Sequence, residues 1–200
     1  MTHVLVTNDY PPKTGGIQSY LWELWRRLPV GEAVVLTARG PSSAATDAFD
    51  RGEPYPIVRT RERVLLPTPG LARTIRKVAA DADASLVLLD PALPLGMLGP
   101  SLGLPYGVVL HGAEVTVPGR MPIGRALLVR VLKHSQLAVA AGGYPAREAR
   151  RAAGDELGRT VIVPPGVDID RFRPLDPAER RAARLRHGLP LASLCLLVLV

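Results

Sequence analysis

Val4-Leu5-Val6-Thr7 runs into Asn8-Asp9-Tyr10-Pro11-Pro12-Lys13-Thr14-Gly15-Gly16 and on into Ile17-Gln18-Ser19-Tyr20. Four apolar or β-branched residues read as a strand that ends at a polar, proline-broken loop. Two glycines follow, and then an amphipathic helix over 19–28 with Leu21, Leu24, Trp25 and Leu28 on one stripe. That order sets bare backbone N–H groups at a helix N-terminus, where the helix dipole favours negative charge. Taken alone the loop is equally a phosphate cradle and a tight strand-to-helix turn. It is not the dinucleotide fingerprint, because no G-x-G-x-x-G follows and the second strand ends at Thr37-Ala38-Arg39 without an acidic residue. No Gly-Lys-Ser/Thr follows the glycines either, which removes the P-loop.

Beyond this loop, strand-like and helix-like runs alternate. Strands are expected at 33–37, 57–60, 86–89, 106–110, 137–141 and 161–163, and helices at 71–80, 123–133 and 145–153. Residues 40–56 read as a loop, and 92–102 as a short apolar helix broken by Gly and Pro. Such alternation predicts an α/β fold, a doubly wound parallel sheet of Rossmann-like type. In such sheets ligands gather at the carboxyl ends of the strands. Asn8, Asp90, His111, Gly142 and Pro165 all fall at strand ends and are expected along one rim.

Composition fits this class. The 200 residues are 47% hydrophobic but only 4% aromatic, so the core must be aliphatic, as in a covered parallel sheet. The net charge is +7, and of the 25 basic residues only Lys13, Lys77 and Lys133 are lysines. That excess points to anionic partners without choosing among them, and a generally Arg-rich solvated surface explains it as well. Cys195 is the one cysteine, so no internal disulfide is available, which fits a reducing compartment. The chain enters a strand within three residues, without the basic start of a signal peptide. Its longest near-apolar run, 191–200, is well short of the ~20 residues a spanning helix needs. A cytoplasmic protein is expected, with peripheral visits to a membrane allowed.

The last thirty residues read differently. Asp176-Pro177 looks like an N-cap with a first-turn proline, opening a helix that is polar over most of its surface. Residues 194–200 then read as a buried strand, either the start of a further domain or a closing strand of the main sheet.

Candidate site residues each carry a plain alternative. His111, after the strand 107–110, can reach a cleft to hydrogen-bond a sugar or move a proton, or it can be bonded locally in its loop. Glu114 is a partner behind it or a cap for the next segment. Pro164-Pro165-Gly166-Val167-Asp168 rigidifies a strand exit. The residues at 123, 127, 128, 131 and 132 are apolar, while Arg120, Arg125, Arg130 and Lys133 are basic. That helix either lies on an anionic membrane or faces the core with a solvated back. No metal-ligand spacing and no G-x-S-x-G elbow are present. Glu148 and Glu156 match an E-x7-E spacing, but across a helix and its Gly154 stop, which makes the match fortuitous.

Together, the Asn8–Tyr20 stretch, His111-Gly112-Ala113-Glu114, and Pro164-Pro165-Gly166-Val167-Asp168 with Arg171-Phe172 resemble the amino-terminal half of a retaining glycosyltransferase of family 4. Within that family the likeness is to actinobacterial phosphatidylinositol mannosyltransferases. The resemblance implies a GT-B architecture. Residues 1–167 would be the Rossmann-like acceptor-side domain, 168–190 an interdomain linker and helix, and 191–200 the first strand of a carboxyl-terminal donor-binding domain. It implies transfer of mannose from GDP-mannose to a lipid or glycan acceptor, such as a phosphatidylinositol mannoside, with retention of configuration. No metal and no cofactor would be needed, and no nucleic acid is a partner. Gly15 and Gly16 would meet the donor diphosphate, His111 the donor sugar, and Tyr10 and Gln18 the acceptor, with Glu114 behind His111. Two positions depart from the pattern: Ala113, where a second His is frequent, and Gly142-Gly143, where a Ser pair is frequent. Both bear on the acceptor. The family's diphosphate-clamping basic residues fall past Val200, so these residues alone are expected not to turn over. The alternative is a non-catalytic anion-binding module that pairs with a separate carboxyl-terminal subunit; an NAD-dependent oxidoreductase is a third reading that lacks its fingerprint.

Overall fold

The computed structural model describes residues 2–192. The strands are β1 (His3–Thr7), β2 (Ala33–Thr37), β3 (Ile57–Arg59), β4 (Leu86–Asp90), β5 (Tyr106–Leu110), β6 (Leu137–Ala140) and β7 (Arg159–Ile162). All pair in parallel, in the order β3-β2-β1-β4-β5-β6-β7. The chain therefore winds outward from β1 in one direction and from β4 in the other. The topological switch point, where ligands sit in such sheets, lies between β1 and β4.

The connecting helices are α1 (Gly16–Trp25), α2 (Ser43–Gly52), α3 (Pro69–Asp81), α4 (Ala113–Gly119), α5 (Pro122–His134) and α6 (Gly143–Ala153), with a 3-10 helix at Leu95–Ser101 between β4 and β5. Every residue of β2 and β5 is buried, as the unbroken apolar runs Ala33-Val34-Val35-Leu36 and Val108-Val109-Leu110 require of strands covered on both faces. Side chains alternate between two cores. Val4, Val6, Leu36, Val87, Leu89, Val108 and Leu110 face α3, α4, α5 and α6. Leu5, Val35, Leu88, Val109 and Val139 face the other way, with Tyr20, Leu21 and Trp25 of α1.

The sheet and most helices fall where the alternation of the sequence puts them. Two helices do not. Residues 40–56 are not a loop throughout: α2 occupies Ser43–Gly52, started by Ser42, whose hydroxyl accepts the Ala45 N–H at 3.3 Å. Only Thr46 of α2 is buried, so its apolar periodicity is too weak to read. The seven residues of α4 are likewise hidden, because Gly112 and Pro118-Gly119 bracket them like a turn. The apolar segment 92–102 is tighter than an α-helix, a 3-10 helix with Pro100 inside it.

The compact unit that holds the sheet ends at Gly166, and a second begins at Val167. In the second unit, Asp168 Oδ1 accepts the N–H groups of Asp170 and Arg171 at 3.0 and 2.9 Å. Its helix α7 (Pro177–Arg186) opens with a full capping box: Asp176 accepts the Glu179 N–H at 2.8 Å, and Glu179 accepts the Asp176 N–H at 3.0 Å. Arg173 grips Glu179 with two nitrogens at 2.9 and 2.6 Å and holds its carboxyl down to about 2. The strand expected at 194–200 lies outside the described residues.

Candidate active site

Three polar residues end three neighbouring strands on the α1-facing side of the sheet. Counting in twos, Leu5 leads to Thr7, Leu88 to Asp90 and Val109 to His111, so each continues the face that buries the residue before it. Thr7 stands directly opposite Asp90 in the β1–β4 register. The Thr7 hydroxyl donates to Asp90 Oδ2 at 2.6 Å and accepts the Asp9 N–H at 2.8 Å. Asp90 Oδ1 meets His111 Nε2, also at 2.6 Å. Asp90 is 1% exposed and the His111 side chain 11%.

Burial raises the Asp90 carboxyl above its ordinary value, against the pull of His111 and Thr7. Burial pulls His111 down, but the bond to Asp90 and the charges of Asp90, Glu114 and Asp9 outweigh it and leave the imidazole raised. The edge of the Tyr20 ring closes over the imidazole, with centroids 5.6 Å apart and planes at 88°. Tyr20 Oη donates to the Val163 carbonyl at 2.8 Å, tying α1 to the exit of β7 just before Pro164-Pro165-Gly166.

Beside this cluster the β1–α1 loop is held at several points. The Asn8 side chain accepts the Leu65 N–H at 2.6 Å and donates to the Leu65 carbonyl at 3.0 Å. Arg59, bidentate to Asp50 at 2.8 Å, donates to the Pro11 carbonyl at 2.6 Å. Asp9 Oδ1 receives Lys13 at 2.6 Å and Gln18 Nε2 at 2.7 Å. The loop delivers Gly15 at φ +157°, ψ 169°, and α1 begins with no side-chain cap and no acid in its first turn. Its first N–H groups are thus left without a side-chain cap at the carboxyl end of β1. At α4, by contrast, Glu114 fills the equivalent place: it accepts the Gly112 N–H at 2.9 and 3.0 Å and also the His111 N–H.

Gly15 and Gly16 follow β1, and His111 and Glu114 follow β5, so all four lie at the carboxyl ends of the strands, with Glu114 bonded to the backbone of His111 and Gly112. Tyr10 and Gln18 do not take the outward positions expected of acceptor contacts. Tyr10 is 2% exposed. Tyr55 donates to Glu53 at 2.9 Å, so at the 2.7 Å Tyr10–Tyr55 contact it is Tyr10 that donates. Gln18 sits three residues past Gly15 in the first helical turn, which folds its side chain back over the loop onto Asp9. Reading the sequence assigned no role to Thr7, Asp90 or Tyr20, although Asp90 was expected on this rim. The signal for the first two was there, as polar residues closing otherwise apolar strands. Glu148 and Glu156 take no part, being paired with Arg151 and Lys133.

Residues 14–171 match the sequence model of Glycosyltransferase Family 4. Over 193 residues the chain is 36% identical to a GDP-mannose-dependent alpha-(1-6)-phosphatidylinositol monomannoside mannosyltransferase of Mycobacterium tuberculosis, covering 93% of this chain and 49% of that protein. It is 29% identical to a monoacylated-substrate counterpart from Corynebacterium glutamicum, covering 92% and 49%. Among solved structures, Anabaena Alr3699/HepE in complex with UDP superposes with a TM-score of 0.65 at 18% identity, over 94% of this chain and 50% of that one. A glycosyltransferase from Rickettsia africae gives 0.60 at 16%, with the same coverage. These two likenesses are of fold. The chain spans about half the length of the curated relatives it matches. The family match, the relatives and the fold agree: the chain belongs to Glycosyltransferase Family 4.

Proposed function

We propose that this chain is the acceptor-side half of a retaining, GT-B mannosyltransferase that uses GDP-mannose and acts on a phosphatidylinositol mannoside-like lipid. The observation that carries the reading is the pairing, at the β1–β4 switch point, of an uncapped glycine-opened helix with a buried His–Asp pair. The helix start suits a diphosphate, and the imidazole suits a sugar hydroxyl. The similarity to GDP-mannose-dependent enzymes over 93% of the chain supports the choice of donor and acceptor.

In this reading, Gly15 and Gly16 let the donor diphosphate approach the N–H groups of α1. His111 hydrogen-bonds the mannose. The bond from the anomeric carbon to the diphosphate breaks and one to an acceptor hydroxyl oxygen forms on the same face, the hydroxyl proton leaving with GDP. No bound metal is required: the helix start takes part of the diphosphate charge, and basic residues of the remaining half take the rest. Tyr10 and Gln18 shape the loop rather than touch the acceptor.

A lipid acceptor also fits the corner between α4 and α5. Val117, Met121 and Ile123 are 59, 60 and 80% exposed there, beside the exposed Arg120 and Arg125. Among the described residues no helix is long and apolar enough to cross a membrane, so the reading is of peripheral contact with an anionic surface.

The test is a calorimetric donor screen on the chain joined to its continuation, with and without EDTA. GDP-mannose should bind and UDP-glucose should not, in either condition. Preference for a UDP-sugar overturns the donor, and loss of binding in EDTA overturns the metal-free reading.

A further inference from the structure

We propose that Asp90 is a positioning residue of the transfer site: it holds the His111 ring by Nε2, so that Nδ1 is the nitrogen offered to the bound sugar. The proposal rests on the functional reading above for what the sugar is, but the positioning itself is independent of it.

Hydrogen-bond arithmetic fixes the arrangement. The Thr7 hydroxyl donates its single proton to Asp90 Oδ2 while its oxygen accepts the Asp9 N–H. Asp90 therefore accepts from Thr7 through Oδ2 and has Oδ1 left for His111. At a pH where Asp90 is ionised it only accepts, so there Nε2 carries the proton at that contact. Nδ1 bonds to no described residue. That nitrogen is left for a bound ligand.

The surroundings also set the charge. The groups that face His111 are Asp90 from β4, Asp9 from the β1–α1 loop, Glu114 from α4 and the Tyr20 ring from α1. Lys13, the cation of the β1–α1 loop, is spent on Asp9. Three acids and no facing cation favour an imidazolium, which makes Nδ1–H a donor toward a sugar or phosphate oxygen. A merely structural residue at the end of a buried strand would be better apolar. A buried carboxylate without partners is costly, and Asp90 is matched by the Thr7 hydroxyl and by His111 Nε2.

The chain carries four histidines, so its imidazoles can be followed individually by NMR with labelled histidine, His111 being assigned through His111→Asn. In the unaltered chain His111 should titrate above the ordinary value and, when neutral, carry its proton on Nε2. Asp90→Asn should lower its proton affinity at least tenfold and mix the two tautomers. Thr7→Val, which preserves shape and is the second probe should Asp90→Asn fail to fold, should lower the affinity in the same direction by less. In the chain joined to its continuation, Asp90→Asn should cut kcat at least a hundredfold and move its pH profile, with the KM for the donor changed far less. An unchanged His111 midpoint and tautomer in both variants overturns the proposal, as does an unmoved pH profile. If the unaltered joined chain transfers no sugar at all, the functional reading fails while the titration still decides the role of Asp90.

Discussion

Gly15 and Gly16 stand side by side and answer to different constraints. Gly15 lies at φ +157°, ψ 169°, a region open almost only to glycine, and a Cβ there would fall 2.2 Å from Gln18 Oε1. Gln18 cannot swing away without releasing Asp9. Gly15→Ala should therefore cost about 1–3 kcal/mol in chemical denaturation. A Cβ on Gly16 meets no atom within 4 Å. Gly16→Ala should leave stability within about 0.5 kcal/mol, or raise it slightly through helix propensity. It should nonetheless weaken GDP-mannose binding in the joined chain, because the methyl occupies the diphosphate's approach. Equal donor affinity for Gly16→Ala and the unaltered chain would show that no ligand comes close to this backbone. His111 adds a pH dependence. Its pKa is raised on folding, so the native state holds a proton that the unfolded chain releases near 6.5. The stability it lends is complete below that pH and lost as pH rises through the folded value, at up to about 1.4 kcal/mol per unit. Thermal unfolding from pH 6 upward should show this decline, and His111→Gln should flatten it; parallel slopes would refute the coupling. His111 and the glycines were legible because each sits beside a local signal, a strand end or a helix start. The partnership of Thr7 with Asp90 was not. It joins residues 83 apart and depends on the register of β1 against β4, which no local pattern fixes.

At the scale of elements, legibility followed burial. Strands covered on both faces leave apolar runs that can be seen without a structure, and β2 and β5 were found with the same ends. Helices that bury a full stripe were found too, as with α3, which hides Leu71, Ala72, Ile75, Val78 and Ala79 behind a Thr68 cap. Where a helix buries one residue, as α2 does, or spans seven, as α4 does, the period has nothing to repeat on. α5 shows the other limit. Its buried residues are Leu128, Val131 and Leu132, so its basic face does not exclude a core-facing role, and the amphipathic pattern alone could not choose. What singles out the α4–α5 corner is Val117, Met121 and Ile123, apolar residues left in solvent next to Arg120 and Arg125. The chain should sediment with vesicles containing anionic phospholipid and not with neutral ones, and less in high salt. Ile123→Glu should weaken that binding roughly tenfold or more, since burying one isoleucine side chain is worth about 1.5–3 kcal/mol. Binding that survives Ile123→Glu and high salt together would remove the corner from the membrane reading.

For the molecule as a whole, the charge on the proposed donor decides how much of the chemistry this chain can carry. A helix N-terminus presents the equivalent of roughly half a positive charge. A nucleoside diphosphate leaving group carries about two negative charges, so α1 offsets only a fraction of what develops as the sugar departs. The other groups gathered at the rim do not make up the difference. Asp9, Asp90 and Glu114 are acidic, Lys13 is paired with Asp9, and Arg59 is spent on Asp50 and the Pro11 carbonyl. The net charge of +7 lies elsewhere, on surfaces such as the backs of α5 and α6. In the proposed reading the positive charge that completes the site comes from outside these residues, in the part of the relatives that this chain, at about half their length, does not span. The 200-residue chain alone should therefore bind GDP-mannose weakly, with Kd in the millimolar range expected of a few backbone contacts (about 4 kcal/mol), and should transfer no mannose. Joined to its continuation it should bind at least a hundredfold more tightly and turn over, with Gly16→Ala and Asp90→Asn then measurable as losses. Transfer by the 200 residues alone at a rate near that of the joined chain would mean that the rim stabilises the leaving diphosphate unaided, and the division of charge between two halves would have to be abandoned.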